Sequence, residues 1–169
     1  CIVIAKSQEA LVRLQVQIQK RIASRDYLAV VHGVPAGDSG TIVGAIGRHP
    51  ADRKKYAVVS DENGRYACTH WSLQERLGDY SLLRFKLDTG RTHQIRVHCS
   101  HMNHPVVGDP TYSRCRKLPI DLPGQALHAF QLGLDHPINR ERMVFEAPMP
   151  PVMEKLLGVL RRRNASGQC

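Results

Sequence analysis

The chain has 169 residues, 42% of them hydrophobic, and carries 24 Lys and Arg against 15 Asp and Glu, a formal net charge of +9. That length and apolar fraction fit one domain with a buried core and exclude a disordered tail, and no apolar run approaches the roughly 20 residues of a membrane helix. Five cysteines at positions 1, 68, 99, 115 and 169 are odd in number and hold no C-x-x-C pair, which speaks against a disulfide framework or zinc ribbon and for reduced thiols in the cytoplasm.

Residues 1–5, Cys-Ile-Val-Ile-Ala, read as a buried strand by their β-branched content. A folded domain seldom starts inside a strand, so the chain is expected to lack an N-terminal portion. Ser7 can cap a helix with Glu9 in its first turn, and Ala10, Leu11, Leu14 and Ile18 recur at helical spacing as its buried face, ending near Arg21. Residues 27–31 form a second strand, closed by Gly33 and Pro35. A short strand follows at 41–45. Residues 55–60 and 65–73 flank Asp61-Glu62-Asn63-Gly64, whose Asn-Gly predicts a tight hairpin between them.

In residues 81–87, Leu83, Phe85 and Leu87 alternate with Arg84 and Lys86, the pattern of a strand with one buried face. A helix is predicted over 91–102 with Ile95, Cys99 and Met102 on one side, then a loop over 111–123 and a strand over 125–134. Pro151 opens a last helix with Met153, Leu156, Leu157 and Leu160 on its apolar side, and Arg161-Arg162-Arg163 suits its negative end. Residues 164–169 are expected to fray. The sum is an α/β (α+β) domain whose mixed sheet is mostly antiparallel, with flanking helices.

The chemistry concentrates in Leu87-Asp88-Thr89-Gly90-Arg91-Thr92-His93-Gln94-Ile95-Arg96-Val97-His98. A glycine turn brings basic and amide side chains to a helix start, where free N–H groups already favour anions. The positive balance of the chain points the same way, toward nucleic acid, because each neutralised phosphate releases counterions. Nothing matches G-x-x-x-x-G-K-S/T, G-x-G-x-x-G after a strand, or a G-x-S-x-G elbow. His93, His98, Cys99, His101 and His104 lie close together, yet without H-E-x-x-H or a neighbouring carboxylate base; no metal is expected.

Leu87-x-Thr89-Gly90-Arg91-Thr92-His93-Gln94-Ile95-Arg96-Val97-His98, followed by His104-Pro105-Val106-Val107-Gly108-Asp109-Pro110-x-Tyr112, resembles the third motif of the RluA-type RNA pseudouridine synthases. Arg21-x-x-x-Arg25-x-Tyr27-x-Ala29 resembles the second motif, and Leu127-His128-Ala129 with His136-Pro137 the C-terminal strand. The stretch from Gly40-Thr41-Ile42 through Arg48-His49-Pro50 to Lys54-Lys55 is most similar to the branch that contains the large-subunit synthase D.

The resemblance implies isomerisation of uridine to pseudouridine in structured RNA, large-subunit ribosomal RNA in that branch, without a cofactor. It makes residues 1–163 a catalytic domain short of its N-terminal portion. It implies that Tyr27 stacks on the flipped base and that Arg96 pairs with a nucleophilic aspartate. That aspartate belongs to a His-Arg-Leu-Asp motif, which the 169 residues do not contain. Arg96 is therefore expected to be a buried cation without its partner, and the chain to be inactive by itself. His104 and Asp109 are expected to hold their turn. Arg91, His93 and Gln94 suit phosphate and base-edge contacts, and Arg48, Arg53, Lys54, Lys55, Arg114, Arg116 and Lys117 suit the RNA track. A monomer in the cytoplasm, with no membrane partner, completes the expectation. Its rivals are an RNA-binding chain without catalysis and a histidine-rich metal enzyme.

Overall fold

The computed structural model describes residues 1–113 and 118–167. In chain order the elements are α1 (Gln8–Gln19), β1 (Ser24–His32), β2 (Ser39–Val43), β3 (Ala45–Arg48), β4 (Tyr56–Val59) and β5 (Cys68–Arg76). They continue with β6 (Tyr80–Leu87), α2 (Gln94–His101), β7 (Leu127–Asp135), β8 (Arg142–Glu146) and α3 (Pro151–Ala165). Six strands form one antiparallel sheet in the order β2-β5-β6-β1-β7-β8, and β3 and β4 form a separate two-stranded sheet.

β1 lies inside this sheet and serves both of its faces, as strand periodicity requires. Its Ala29 and Val31 join Trp71, Leu83 and Phe85 against Ile95 and Cys99 of α2. Its Val30 joins Leu82 against Met153, Leu156, Leu157 and Leu160 of α3 on the other face. The apolar side expected for the last helix is thus the one buried. α3 itself runs to Ala165, two residues into the tail expected to fray.

Five local expectations are corrected. Residues 1–5 form no strand, and Ile2 and Ile4 are exposed: β8, which the sequence reading missed, already occupies the position beside β7. The N-terminal ammonium instead donates to the Ala129 carbonyl at 2.7 Å. In α1, capped by Ser7 as expected, the buried residues are Leu14 and Gln17, not Leu11 and Ile18. Gln17 turns that face inward by bonding the backbone of Asp135 twice, at 2.7 and 2.8 Å.

The predicted hairpin between 55–60 and 65–73 does not form. β4 pairs with β3, and Arg65 bridges Ile46, so β5 starts only at Cys68 in the main sheet. Gly64 permits this crossing, since a Cβ there would stand 2.9 Å from the Ala45 Cβ. The strand expected at 41–45 is likewise divided at Gly44 between the two sheets. Finally, α2 starts at Gln94 and not at Arg91, because His93 adopts a left-handed φ of 57°.

Candidate active site

The motif turn is built on one buried side chain. Gln94 is 3% exposed; its Nε2 donates to the Cys68 carbonyl at 3.0 Å and to Thr69 Oγ1 at 2.9 Å. Its Oε1 accepts from the Arg91 backbone N–H and from the Thr89 hydroxyl, both at 2.9 Å. A glutamine amide offers two donors and one oxygen with two lone pairs, so its capacity is filled. Gln94, expected from the sequence to contact a base edge, here braces β5 against the turn.

Arg96 is also turned inward. Its Nε and Nη2 donate to the two carboxylate oxygens of Asp109 at 2.6 and 2.7 Å, and its guanidinium lies 5.0 Å from the centre of the Tyr112 ring. The expectation of an unpaired Arg96 is overturned: Asp109, from the Gly-Asp-Pro turn, is its partner. Asp109 holds that turn as well, accepting from the Thr111 and Tyr112 amides at 2.8 and 3.1 Å. Burial opposes ionisation of Asp109, but Arg96 and these amides outweigh it and hold the carboxyl below its ordinary value. The same hydrogen bond from Arg96 to Asp109 raises the guanidinium above its usual range.

His93 stands at the head of α2 with Nδ1 3.0 Å from the Tyr112 hydroxyl, which also accepts the Tyr56 N–H at 3.0 Å. Burial, then the Arg96 charge, lowers the His93 pKa, so the ring is kept neutral. A neutral imidazole is a poor phosphate ligand but a sound spacer between α2 and the β3–β4 sheet.

On the face of the main sheet that carries α2, Tyr27 is half-buried against the same core cluster as Leu87 and Leu127. Two residues earlier on β1, Arg25 reaches under the turn, so that a Cβ on Gly90 would lie 2.7 Å from its Nη1. Among the described residues the Arg25 Nε is buried and has no hydrogen-bond partner. The sequence reading noted Arg25 within a motif but not as a site residue; its position two before Tyr27, hence on the same strand face, was the available signal.

Between the Gly90 turn and the small sheet opens a cleft of about 570 Å³ lined by Ile46, Arg48, Tyr56, Arg65, Gly90 and Arg91 among others. Arg48 lies over the Tyr56 ring at 4.6 Å, and Arg91 is fixed through its Nε to the Tyr66 carbonyl at 2.9 Å. Arg48, expected on the RNA track, and Arg91, expected at phosphate or base-edge contacts, thus share one cavity. Lys55 lines the neighbouring hollow with His101 and Tyr112, and pairs with Asp52 at 3.7 Å. Arg53 and Lys54 lie exposed in the loop between β3 and β4, outside both. Arg114, Arg116 and Lys117 fall outside the described residues.

The clustered histidines do not converge. His98 is fully buried with Nδ1 2.9 Å from Thr69 Oγ1, and burial lowers its pKa to about 4. His104 bonds the His32 carbonyl at 2.8 Å, holding the turn. No described helix is long and apolar enough to cross a membrane.

The family profile described as RNA pseudouridylate synthase matches residues 1–101. An uncharacterised RNA pseudouridine synthase of Synechocystis is 50% identical over 162 residues, 95% of this chain and 50% of that protein. The ribosomal large subunit pseudouridine synthase D of Pseudomonas aeruginosa is 45% identical over 171 residues, 95% of this chain and 52% of its own length. The chain thus spans about half the length of these relatives. Among solved structures, human RNA pseudouridylate synthase domain containing 1 superposes with a TM-score of 0.72 at 28% identity, covering 93% of this chain and 73% of that one. Profile, relatives and fold converge: the chain belongs to the RNA pseudouridylate synthase family.

Proposed function

We propose that this chain is the greater part of a catalytic domain that isomerises uridine to pseudouridine in large-subunit ribosomal RNA. The observation that carries the reading is the arginine-lined cleft beside the motif turn, with Arg48, Arg65 and Arg91 around Tyr56. Guanidinium groups take phosphates bidentately, and an aromatic face accepts a base, so this wall suits a single-stranded or unstacked RNA segment.

In this reading the target uridine leaves its stack and its ring lies on Tyr27, a contact of about 1–3 kcal/mol that tolerates ring rotation. The C1′–N1 bond breaks, the uracil turns, C1′ joins C5, and the C5 proton leaves while N1 gains one. Arg96 has Nε and Nη2 committed to Asp109, which fixes the guanidinium plane. Its remaining N–H groups are then available to orient the nucleophilic carboxylate and keep it ionised. No His-Arg-Leu-Asp motif occurs in the 169 residues, so we assign that carboxylate to the longer protein and expect this chain to bind RNA without turnover. No cofactor enters the scheme, and we place the protein in the cytoplasm as a monomer.

The test uses a large-subunit ribosomal stem-loop carrying uridine tritiated at C5. The 169-residue chain is expected to bind it without releasing tritium, and a version extended to the length of the relatives to release it. Release by the short chain refutes the external nucleophile; failure of both to bind refutes the RNA reading.

A further inference from the structure

Cys68, His70 and Asp88 come together on the sheet, and neither the family motifs nor the scheme above uses them. Cys68 and His70 are two apart on β5 and so point to the same side of the sheet; Asp88 follows β6, the neighbouring strand, and its N–H bonds the Cys68 carbonyl at 3.3 Å. The His70 Nε2 lies 3.8 Å from Cys68 Sγ and 3.1 Å from Asp88 Oδ2, and all three ligand atoms fall within 4.8 Å of one another. We infer that this trio is a binding site for one divalent transition-metal ion of the zinc class.

Distances support it. Zinc bonds of about 2.3 Å to sulfur and about 2.0–2.2 Å to nitrogen and oxygen, at tetrahedral angles, place S and N about 3.6 Å apart and N and O about 3.3 Å apart. The observed 3.8 and 3.1 Å each differ by about 0.2 Å from those values. The imidazole is also held as metal-bound histidines are. His70 Nδ1 lies 2.9 Å from the Thr41 hydroxyl, its register partner on β2; that hydroxyl can accept from Nδ1 once an ion takes Nε2, which in the empty site faces Asp88.

The ligand set is selective: a thiolate with an imidazole and one carboxylate favours zinc or cobalt over magnesium, which wants oxygen alone. Three protein ligands leave a fourth position, on the half-exposed side formed by His70 and Asp88, for water. Arg21 approaches Asp88 at 3.6 Å and is the partner the ion displaces. Filled, the site clamps the start of β5 to the residue before Thr89 and Gly90.

The experiment adds cobalt(II), then zinc, to the untagged 169-residue chain. Expected are a thiolate-to-cobalt charge-transfer band at one equivalent, its displacement by zinc but not by magnesium, and a zinc-dependent rise in melting temperature. Cys68→Val abolishes the band. Asp88→Asn, at a half-exposed position that does not threaten folding, abolishes the zinc-dependent rise, and Thr41→Val weakens cobalt binding about 10–100-fold. No band in the wild-type chain, a band that survives Cys68→Val, or displacement by magnesium overturns the proposal. None of these readouts depends on RNA, so the site fails or stands apart from the function proposed above.

Discussion

Arg96 and Asp109 form a two-pronged ion pair at 2.6 and 2.7 Å in which the aspartate side chain is completely buried. It joins α2 to the Gly-Asp-Pro turn and lets a cation remain inside the protein. Removing one member strands the other charge in a medium that cannot solvate it, which typically costs about 3–5 kcal/mol. Asp109→Ala is therefore expected to lose about that much in urea unfolding. Asp109→Leu combined with Arg96→Met should recover most of it, and a double variant as unstable as the single one would show that packing, not charge, holds the turn.

Acid should act on this protein in two stages. His98 titrates at about 4 when folded and near 6.5 when unfolded, because burial disfavours its charged form. Between those values the unfolded chain binds the proton and the folded one does not, so stability falls as pH drops from about 6.5 to about 4, by roughly 3 kcal/mol. Asp109, whose folded pKa is depressed, contributes stability that is intact above the ordinary carboxylate range and disappears as pH falls through its folded value. Melting temperatures across pH 7 to about 4 test the first stage, which His98→Gln should flatten.

Gln94→Leu separates a structural role from an RNA-reading one. The leucine keeps the volume but leaves the Cys68 carbonyl, the Thr69 and Thr89 hydroxyls and the Arg91 N–H without this partner. With each unsatisfied buried group costing about 1–3 kcal/mol, a loss of about 3 kcal/mol or more is expected by thermal denaturation. Full stability together with weakened RNA binding would return Gln94 to the base-contacting residues.

Arg48→Ala and Arg91→Ala should each weaken RNA binding and lower the slope of log affinity against log salt by about one, as loss of a phosphate contact does. Arg25→Met should do the same, because the Arg25 side chain lies under the Gly90 turn with its buried Nε unpaired among the described residues. Fluorescence titrations at several salt concentrations decide each case, and an unchanged slope places that arginine outside the RNA path.

For Arg96→Met in a version extended to the length of the relatives, turnover should be abolished while RNA affinity changes only a few-fold, because this arginine is turned inward onto the Asp109 carboxylate. Tritium release and equilibrium binding measured on the same preparation check it. A large fall in affinity would assign Arg96 to the RNA instead.

Much of the fold was legible because local patterns and packing agree. The alternation around Leu83 and Phe85 and the four apolar residues of α3 are buried as their periodicity requires. What misled were segments whose outcome depends on a distant partner. The β-branched run at 2–4 has strand propensity but no vacant place beside β7. Asn63-Gly64 makes a turn, yet Gly64 fits against Ala45 of another strand, which redirects the pairing. In the site, the basic and amide residues of the motif were recognisable as a group, but not which of them look outward. Gln94 and Arg96 point inward because Cys68, Thr69 and Asp109, each more than ten residues away, supply matching groups. The Cys68–His70–Asp88 trio was hidden for the same reason: only pairing of β5 with β6 brings its members together.

The single oxygen of Gln94 that receives both Thr89 and Arg91 has a consequence for what evolution and engineering can do here. It works as a ruler. The two contacts are satisfied only when the chain between them and the first turn of α2 has this number of residues, so one inserted or deleted residue would forfeit both at once. A shorter amide would not span the distance to Cys68 and Thr69 on the opposite side. Residues 89–94 should therefore tolerate exchange of their outward side chains far better than any change in their count.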